Sequence, residues 1–231
     1  MSAQKVYAFI CTRTKNFSDV TKNCLAYLAS CGVEVKIMVN QDSIFGGYKK
    51  AFDRVNPDPN DIIILCHDDI EFKTPFTSFK SILSKSLGPK TGFVGVGGTT
   101  YLDGDLVWWE QERWKQGLHA GCVWHSKDTG EVYETPYGPN RRVVVLDGVF
   151  LAARAKILEK VGLEKPDYLK GGWDFYDIHY TLTAHKMGFE NKTIPIAIVH
   201  HSPGELVGRD SWHINKDLLY NKNEKEFPFI C

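Results

Sequence analysis

The sequence predicts an α/β protein on an open, doubly wound sheet, mixed but mostly parallel, with helices against its faces. Three observations predict this. Strand-like and helix-like segments alternate from Lys5 to Leu65, the order that gives parallel strands joined by crossover helices. The run Ile62-Ile63-Ile64-Leu65 has no polar alternation, as expected of a central strand covered on both faces. Polar residues collect where each strand-like run stops, the place where open α/β sheets bind ligands.

The first strand is the apolar run from Val6 to Cys11. A helix follows: Ser18 is placed to cap it, and Val20, Cys24, Leu25, Leu28 and Cys31 fall on one side. Gly32 is placed to end it. Val33, Val35, Ile37 and Val39 then alternate as one strand face. Residues 46–55 read as a short helix, residues 56–61 as a turn-rich loop and residues 62–65 as the third strand. Beyond it come a helix over residues 75–88 and a strand over residues 91–98. Residues 101–137 are rich in Trp, Gly and charge, with no clean period. Residues 141–162 give two strand-like runs and a helix. Residues 173–188 read as a helix with Ile178, Leu182 and either His185 or Lys186 on one side. Residues 192–204 read as a last strand ending in two His, and residues 210–227 as a polar helix.

The 231 residues balance 28 Lys plus Arg against 28 Asp plus Glu. Zero net charge gives no global pull toward nucleic acid or anionic membrane. No run approaches the roughly 20 apolar residues that span a bilayer. The start of the chain lacks the build of a signal peptide. Six scattered Cys without CxxC spacing read as free thiols. These features point to a cytoplasmic protein and leave peripheral contact with a membrane open.

Four strand ends carry the candidate chemistry. Thr12, Arg13 and Thr14 follow the first strand, and Asn40, Gln41 and Asp42 the second. His67, Asp68 and Asp69 follow the third, and His200 and His201 the last. Any one reads alone as a solvated loop; four together point to a common site. Adjacent carboxylates repel, and burying them costs several kcal/mol unless they are paired. A divalent cation offsets this, and hard oxygen ligands with open positions suit Mg²⁺ or Mn²⁺ holding a diphosphate. Helix capping or a salt bridge to Arg13 or Lys49 is the plainer alternative.

A buried strand that runs into His67-Asp68-Asp69 resembles the DxD region of GT-A fold, nucleotide-sugar-dependent glycosyltransferases, and is similar to their family-2-like members. Three further stretches agree in order. Residues 143–154 resemble the segment leading to the acceptor-side loop. Residues 171–189 resemble the acidic helix start usually written ED. Residues 198–205 resemble the late His-containing loop. The resemblance implies one catalytic domain over residues 1–231. Residues 1–99 would form the nucleotide half, and residues 100–231 the acceptor half with a smaller sheet or loop region.

It also implies sugar transfer from a nucleoside diphosphate sugar, UDP-linked by preference, to a glycan or glycoprotein, with Mn²⁺ or Mg²⁺. Asp69 maps to the metal-binding Asp. His67 departs from the family's first acidic position and falls to the nucleotide or the metal, with Asp68 free to take the nucleotide contact. His201 matches the late metal-binding His, with His200 as the alternative. An inverting transfer needs a carboxylate base, which maps to Asp177, with Asp174 second. Thr12 and Arg13 would meet the nucleotide, and Asn40 and Lys49 are further candidates. Asp147, Gly148 and Trp173 fall near the sugar or acceptor. Trp108, Trp109, Trp114 and Trp124 are further aromatic surfaces for sugar rings.

Three competing readings remain. A nucleotidyltransferase also uses carboxylates and Mg²⁺, but its glycine-rich first loop is missing from residues 11–19. A sugar-nucleotide or glycan-binding module would form no product. A zinc hydrolase on His67, Asp69 and His201 would act with no nucleotide.

Overall fold

β1 (Val6–Thr12) is buried along its whole length and anchors the fold in this computed structural model, which describes residues 4–127, 129–202 and 210–231. It is followed by α1 (Asp19–Ser30), β2 (Glu34–Val39), α2 (Ile44–Val55) and β3 (Ile62–Cys66). Ser18 Oγ accepts the Thr21 N–H at 3.1 Å and caps α1. Gly32, at φ +65°, provides the left-handed turn after it. Next come β4 (Ile70–Phe72), α3 (Phe76–Ser86), β5 (Thr91–Gly95), β6 (Gly97–Thr99) and β7 (Tyr101–Leu102). The stretch without a clean period forms α4 (Gln111–Lys115), β8 (His119–Ser126) and β9 (Val132–Gly138). The chain continues through β10 (Arg142–Val143), β11 (Val145–Leu146), β12 (Phe150–Arg154), α5 (Ala155–Val161), α6 (Tyr176–Lys186), β13 (Glu190–Thr193), β14 (Ile198–His200), α7 (Asp210–Asn223) and β15 (Phe229–Ile230).

The larger sheet has seven strands in the order β10-β13-β5-β12-β3-β1-β2. It is mixed. β1 pairs in parallel with β2 and β3, and β5 with β13, while β12 runs antiparallel to both β3 and β5. The apolar run in β3 is buried at every position. Its side chains alternate between two cores. Ile63 and Leu65 join Phe45, Tyr48 and Tyr180 on one face. Ile62, Ile64 and Cys66 join Cys24, Leu28, Phe79 and Leu83 on the other. The strand is therefore covered on both faces, which explains its unbroken hydrophobicity.

A second sheet has the order β11-β6-β8-β14-β4, with β9 beside β8. The chain leaves the large sheet after Cys66 and enters this one at Ile70, so residues 67–69 form the step between the two. Likewise, residues 190–200 make two strands where the sequence reads as one. β13 lies in the large sheet and β14 in the small one. Pro195 separates them, since it has no N–H to donate to a ladder.

Candidate active site

β1 and β3 are neighbours, with β2 on the far side of β1, so the winding of the sheet reverses between them. Their carboxyl ends lie at one edge and open into a cleft of ≈ 730 Å³. The antiparallel register matters here. Phe150 pairs with Cys66, which sets residues 147–149, just before β12, beside the exit of β3. The His67 N–H donates to the Val149 carbonyl at 3.2 Å. β14 brings its end to the same place, because His200 pairs with Ile70 across from β4.

Three side chains converge at this step. His67 Nδ1 lies 3.3 Å from His200 Nε2 and 3.7 Å from Asp69 Oδ1. His200 Nε2 lies 3.3 Å from Asp69 Oδ1. One ligand atom from each residue falls within 4.8 Å of the others. Asp69 Oδ1 is buried, and these contacts are not aligned as hydrogen bonds, so it has no such partner. Burial works against the Asp69 carboxylate, but the imidazoles of His200 and then His67 outweigh it and hold its pKa below the usual range. Burial likewise opposes charge on His200, and Asp69 and then Asp147 overcome it and raise its pKa. Burial, and after it His200, lowers His67. An unbonded carboxylate oxygen facing two imidazole nitrogens is a donor set that fits a divalent cation.

The start of α6 forms the opposite wall. Asp174 and Tyr176 are buried there, and Phe175 occupies the left-handed region at φ 59°. Asp174 Oδ1 has no hydrogen-bond partner. Asp177 accepts the Gly148 N–H at 3.0 Å and the Ile178 N–H at 2.8 Å. Burial first, and the Asp147 charge second, push its pKa up to about 7 against those two donors. Asp147 itself accepts the Val149 N–H at 3.0 Å.

Of the expected site residues, Thr12, Arg13, His67, Asp68, Asp69, Asp147, Gly148, Trp173, Asp174 and Asp177 all line the cleft. Three expected residues do not. Asn40 is exposed in a left-handed turn at φ 50°, and its N–H donates to the Thr12 carbonyl at 2.8 Å. Lys49 pairs with Asp53 one helical turn on and with Glu164. His201 points to the other side of its strand end, 3.1 Å from Ser126 Oγ and 3.4 Å from Glu71 Oε2. His200 therefore takes the position expected of His201, because successive side chains of β14 face opposite ways. Pro203, Gly204 and Glu205 of the late loop lie outside the described residues.

Trp108, Trp109 and Trp173 line the cleft, whereas Trp114 and Trp124 do not. Trp212, Tyr48, Tyr137 and His125 also line it without having been singled out from the sequence. Trp212 sits on a helix whose polar sequence hides it. His125 lies in the stretch without a clean period, and only the pairing of β8 with β14 sets it opposite His200.

A cleft at the reversal point of an open α/β sheet, with a carboxylate–imidazole cluster on one wall and an acidic helix start on the other, is the arrangement of an enzyme that takes a charged ligand. The model of the glycosyltransferase-like family matches residues 9–227, and the chain belongs to that family. It is a transferase of the glycosyl-transferring class. No curated protein matches the sequence. Among solved structures it is similar to A197 from STIV, at 14% identity and TM-score 0.45 over 82% of this chain and 81% of that one. It is also similar to GalNAc-T7 with UDP, GalNAc and Mn²⁺, at 8% identity and TM-score 0.49 over 90% of this chain. The match spans 45% of that longer protein. At such overlaps neither adds to what the family match establishes. Among the described residues, no helix is long and apolar enough to cross a membrane.

Proposed function

We propose that the protein transfers a sugar from a nucleoside diphosphate sugar, UDP-linked by preference, to a hydroxyl of a glycan or glycoprotein acceptor, with inversion. The observation that carries this reading is the convergence of His67, Asp69 and His200 on one wall of a cleft that Asp177 lines from the other. His67 Nδ1, Asp69 Oδ1 and His200 Nε2 would hold the cation. When bound, it would neutralise the diphosphate leaving group. Thr12, Arg13 and Asp68 would meet the nucleotide; the Arg13 fork of donors suits phosphate. Trp173 and Trp109, both half-buried, would offer flat apolar faces to the sugars. Asp177 takes the acceptor O–H proton as the new O–C bond forms. The bond from the anomeric carbon to phosphate breaks, and the nucleoside diphosphate leaves with its electron pair.

The test is a panel of nucleoside diphosphate sugars with and without Mn²⁺, read by thermal shift and slow donor hydrolysis. A bound donor raises Tm by mass action. No response from any uridine or guanosine donor would sink the proposal. Two imidazoles make the donor set softer than an all-oxygen one, so Mn²⁺ should raise Tm and turnover more than Mg²⁺ does. Zn²⁺ also accepts such ligands, and hydrolysis of a substrate with no nucleotide present would favour a hydrolase.

The two adjacent imidazoles give a direct check. His200→Ala should lower Mn²⁺ affinity by about 100-fold or more, since a direct ligand should exceed the 10–100-fold of a supporting residue. His201→Ala should change it less than about threefold, because His201 faces Ser126 and Glu71. Calorimetric titration of both variants with Mn²⁺ decides it; the reverse order would reassign the metal-binding imidazole.

A further inference from the structure

His67 has two ring nitrogens, and only one can carry the lone pair that binds a metal while the ring is neutral. The neighbours of the other nitrogen determine which. His67 Nε2 lies 2.8 Å from Tyr176 Oη. Tyr176 Oη lies 2.9 Å from the Gly148 carbonyl oxygen, which can only accept. The phenol has one proton and gives it to that carbonyl. A phenol keeps its proton at neutral pH. Tyr176 Oη must therefore accept from His67, and the shared proton belongs to Nε2–H. The Nδ1 lone pair is left bare, and Nδ1 is the atom that faces His200 and Asp69.

The relay is built into the packing. Tyr176 is buried and fixed edge-on by Phe45 and Tyr48, with ring centroids 6.4 and 6.0 Å away. Position 148 has room for no side chain: a Cβ there would collide with Tyr176 Oη and stand 2.9 Å from Asp177 Cβ. Gly148 accepts the Tyr176 hydrogen bond through its carbonyl and donates its own N–H, on the other side of its Cα, to Asp177. Gly148 thus ties Tyr176, and through it His67, to the same backbone segment that holds Asp177.

We propose that Tyr176 is a positioning residue that locks His67 in the Nε2–H tautomer and so presents Nδ1 to a divalent cation, a role that rests on the metal-dependent reading above. Supporting hydrogen bonds to metal-ligating His fix the tautomer in this way, and their loss typically costs 10–100-fold in affinity.

The test uses the full chain stripped of metal, with nitrogen-15-labelled His, and reads the His67 tautomer by long-range ¹H–¹⁵N correlation. His67→Gln identifies the signal. Wild type should show Nε2–H, and Tyr176→Phe should show Nδ1–H or a mixture. In parallel, the Kd for Mn²⁺ alone is read from the free-ion electron paramagnetic resonance signal and should rise about 10–100-fold in Tyr176→Phe. A purely structural Tyr176 would leave the tautomer where it is. Nδ1–H in the wild type, or an unchanged tautomer or Kd in the variant, overturns the inference while the metal reading stands. A wild type that shows Nε2–H but binds no Mn²⁺ overturns both. Because the wild-type tautomer is decisive alone, the test holds even if Tyr176→Phe fails to fold.

Discussion

Asp69→Asn should abolish Mn²⁺-dependent donor binding and leave the fold intact. The substitution keeps the shape and removes one charge. Asp69 is 38% exposed at its side chain, yet Oδ1 is buried without a hydrogen bond and faces two imidazoles. In the proposed reaction its negative charge would let two nitrogen ligands and an anionic diphosphate meet one cation. An amide offers a weaker oxygen and a competing N–H₂. Mn²⁺ affinity should fall by more than about 100-fold, beyond the range seen for merely supporting groups. Thermal shift without metal should stay close to wild type, since half-exposed charges contribute little to stability. Two controls grade the result. Asp68→Ala should weaken nucleotide binding and spare Mn²⁺. Glu71→Ala should spare both, because Glu71 pairs with Lys73 and His201, away from the cluster. Equal losses in all three variants would mean that the motif is structural.

The difference between Asp69 and Glu71 shows how far the sequence reaches. Strand alternation puts His67, Asp69 and Glu71 on one face if extension continues. It does not continue: residues 67–69 cross from one sheet to the other. His67 and Asp69 still meet, but Glu71 belongs to β4 and turns away. The apolar run in β3 predicts its burial because that burial is a property of four successive side chains. The choice between His200 and His201 depends on which face of β14 looks into the cleft, and only the pairing with β4 and β8 fixes that. Lys49 reads as an exposed helix Lys that could also reach a phosphate, and in the structure it pairs with Asp53 one turn along. β12 reads locally as a strand, but nothing local gives its antiparallel direction. Its place between β3 and β5 follows from long-range pairing, yet that pairing sets Gly148 against Tyr176 and Asp177.

That same placement carries the second large expected effect: Asp177→Asn should stop turnover and leave donor binding alone. Asp177 sits in the first turn of α6 with both oxygens already holding backbone N–H groups. These bonds orient the carboxylate without protonating it, and each oxygen keeps a lone pair for an incoming hydroxyl. A base works best when its pKa is near the working pH, and burial with the Asp147 charge brings Asp177 to about 7. Removing it should lower kcat by about 10²–10⁴-fold, with the donor Kd unchanged within about twofold. The sign of the pH dependence follows. The base acts only when deprotonated, so wild-type kcat/KM should rise as pH increases through about 7. Asp147→Asn deletes the neighbouring negative charge and keeps the oxygen that accepts the Val149 N–H. The rise should then move to lower pH, as a carboxylate next to one fewer like charge ionises more easily. Asp174→Asn tests the other assignment, since its unbonded buried oxygen also lines the cleft. If Asp174→Asn is the variant that stops turnover, the base moves to the segment just before α6. If neither does, the acceptor proton leaves by another route, and the case for inversion falls with it, because an attacking hydroxyl on the far face of the sugar needs a carboxylate placed there to receive it.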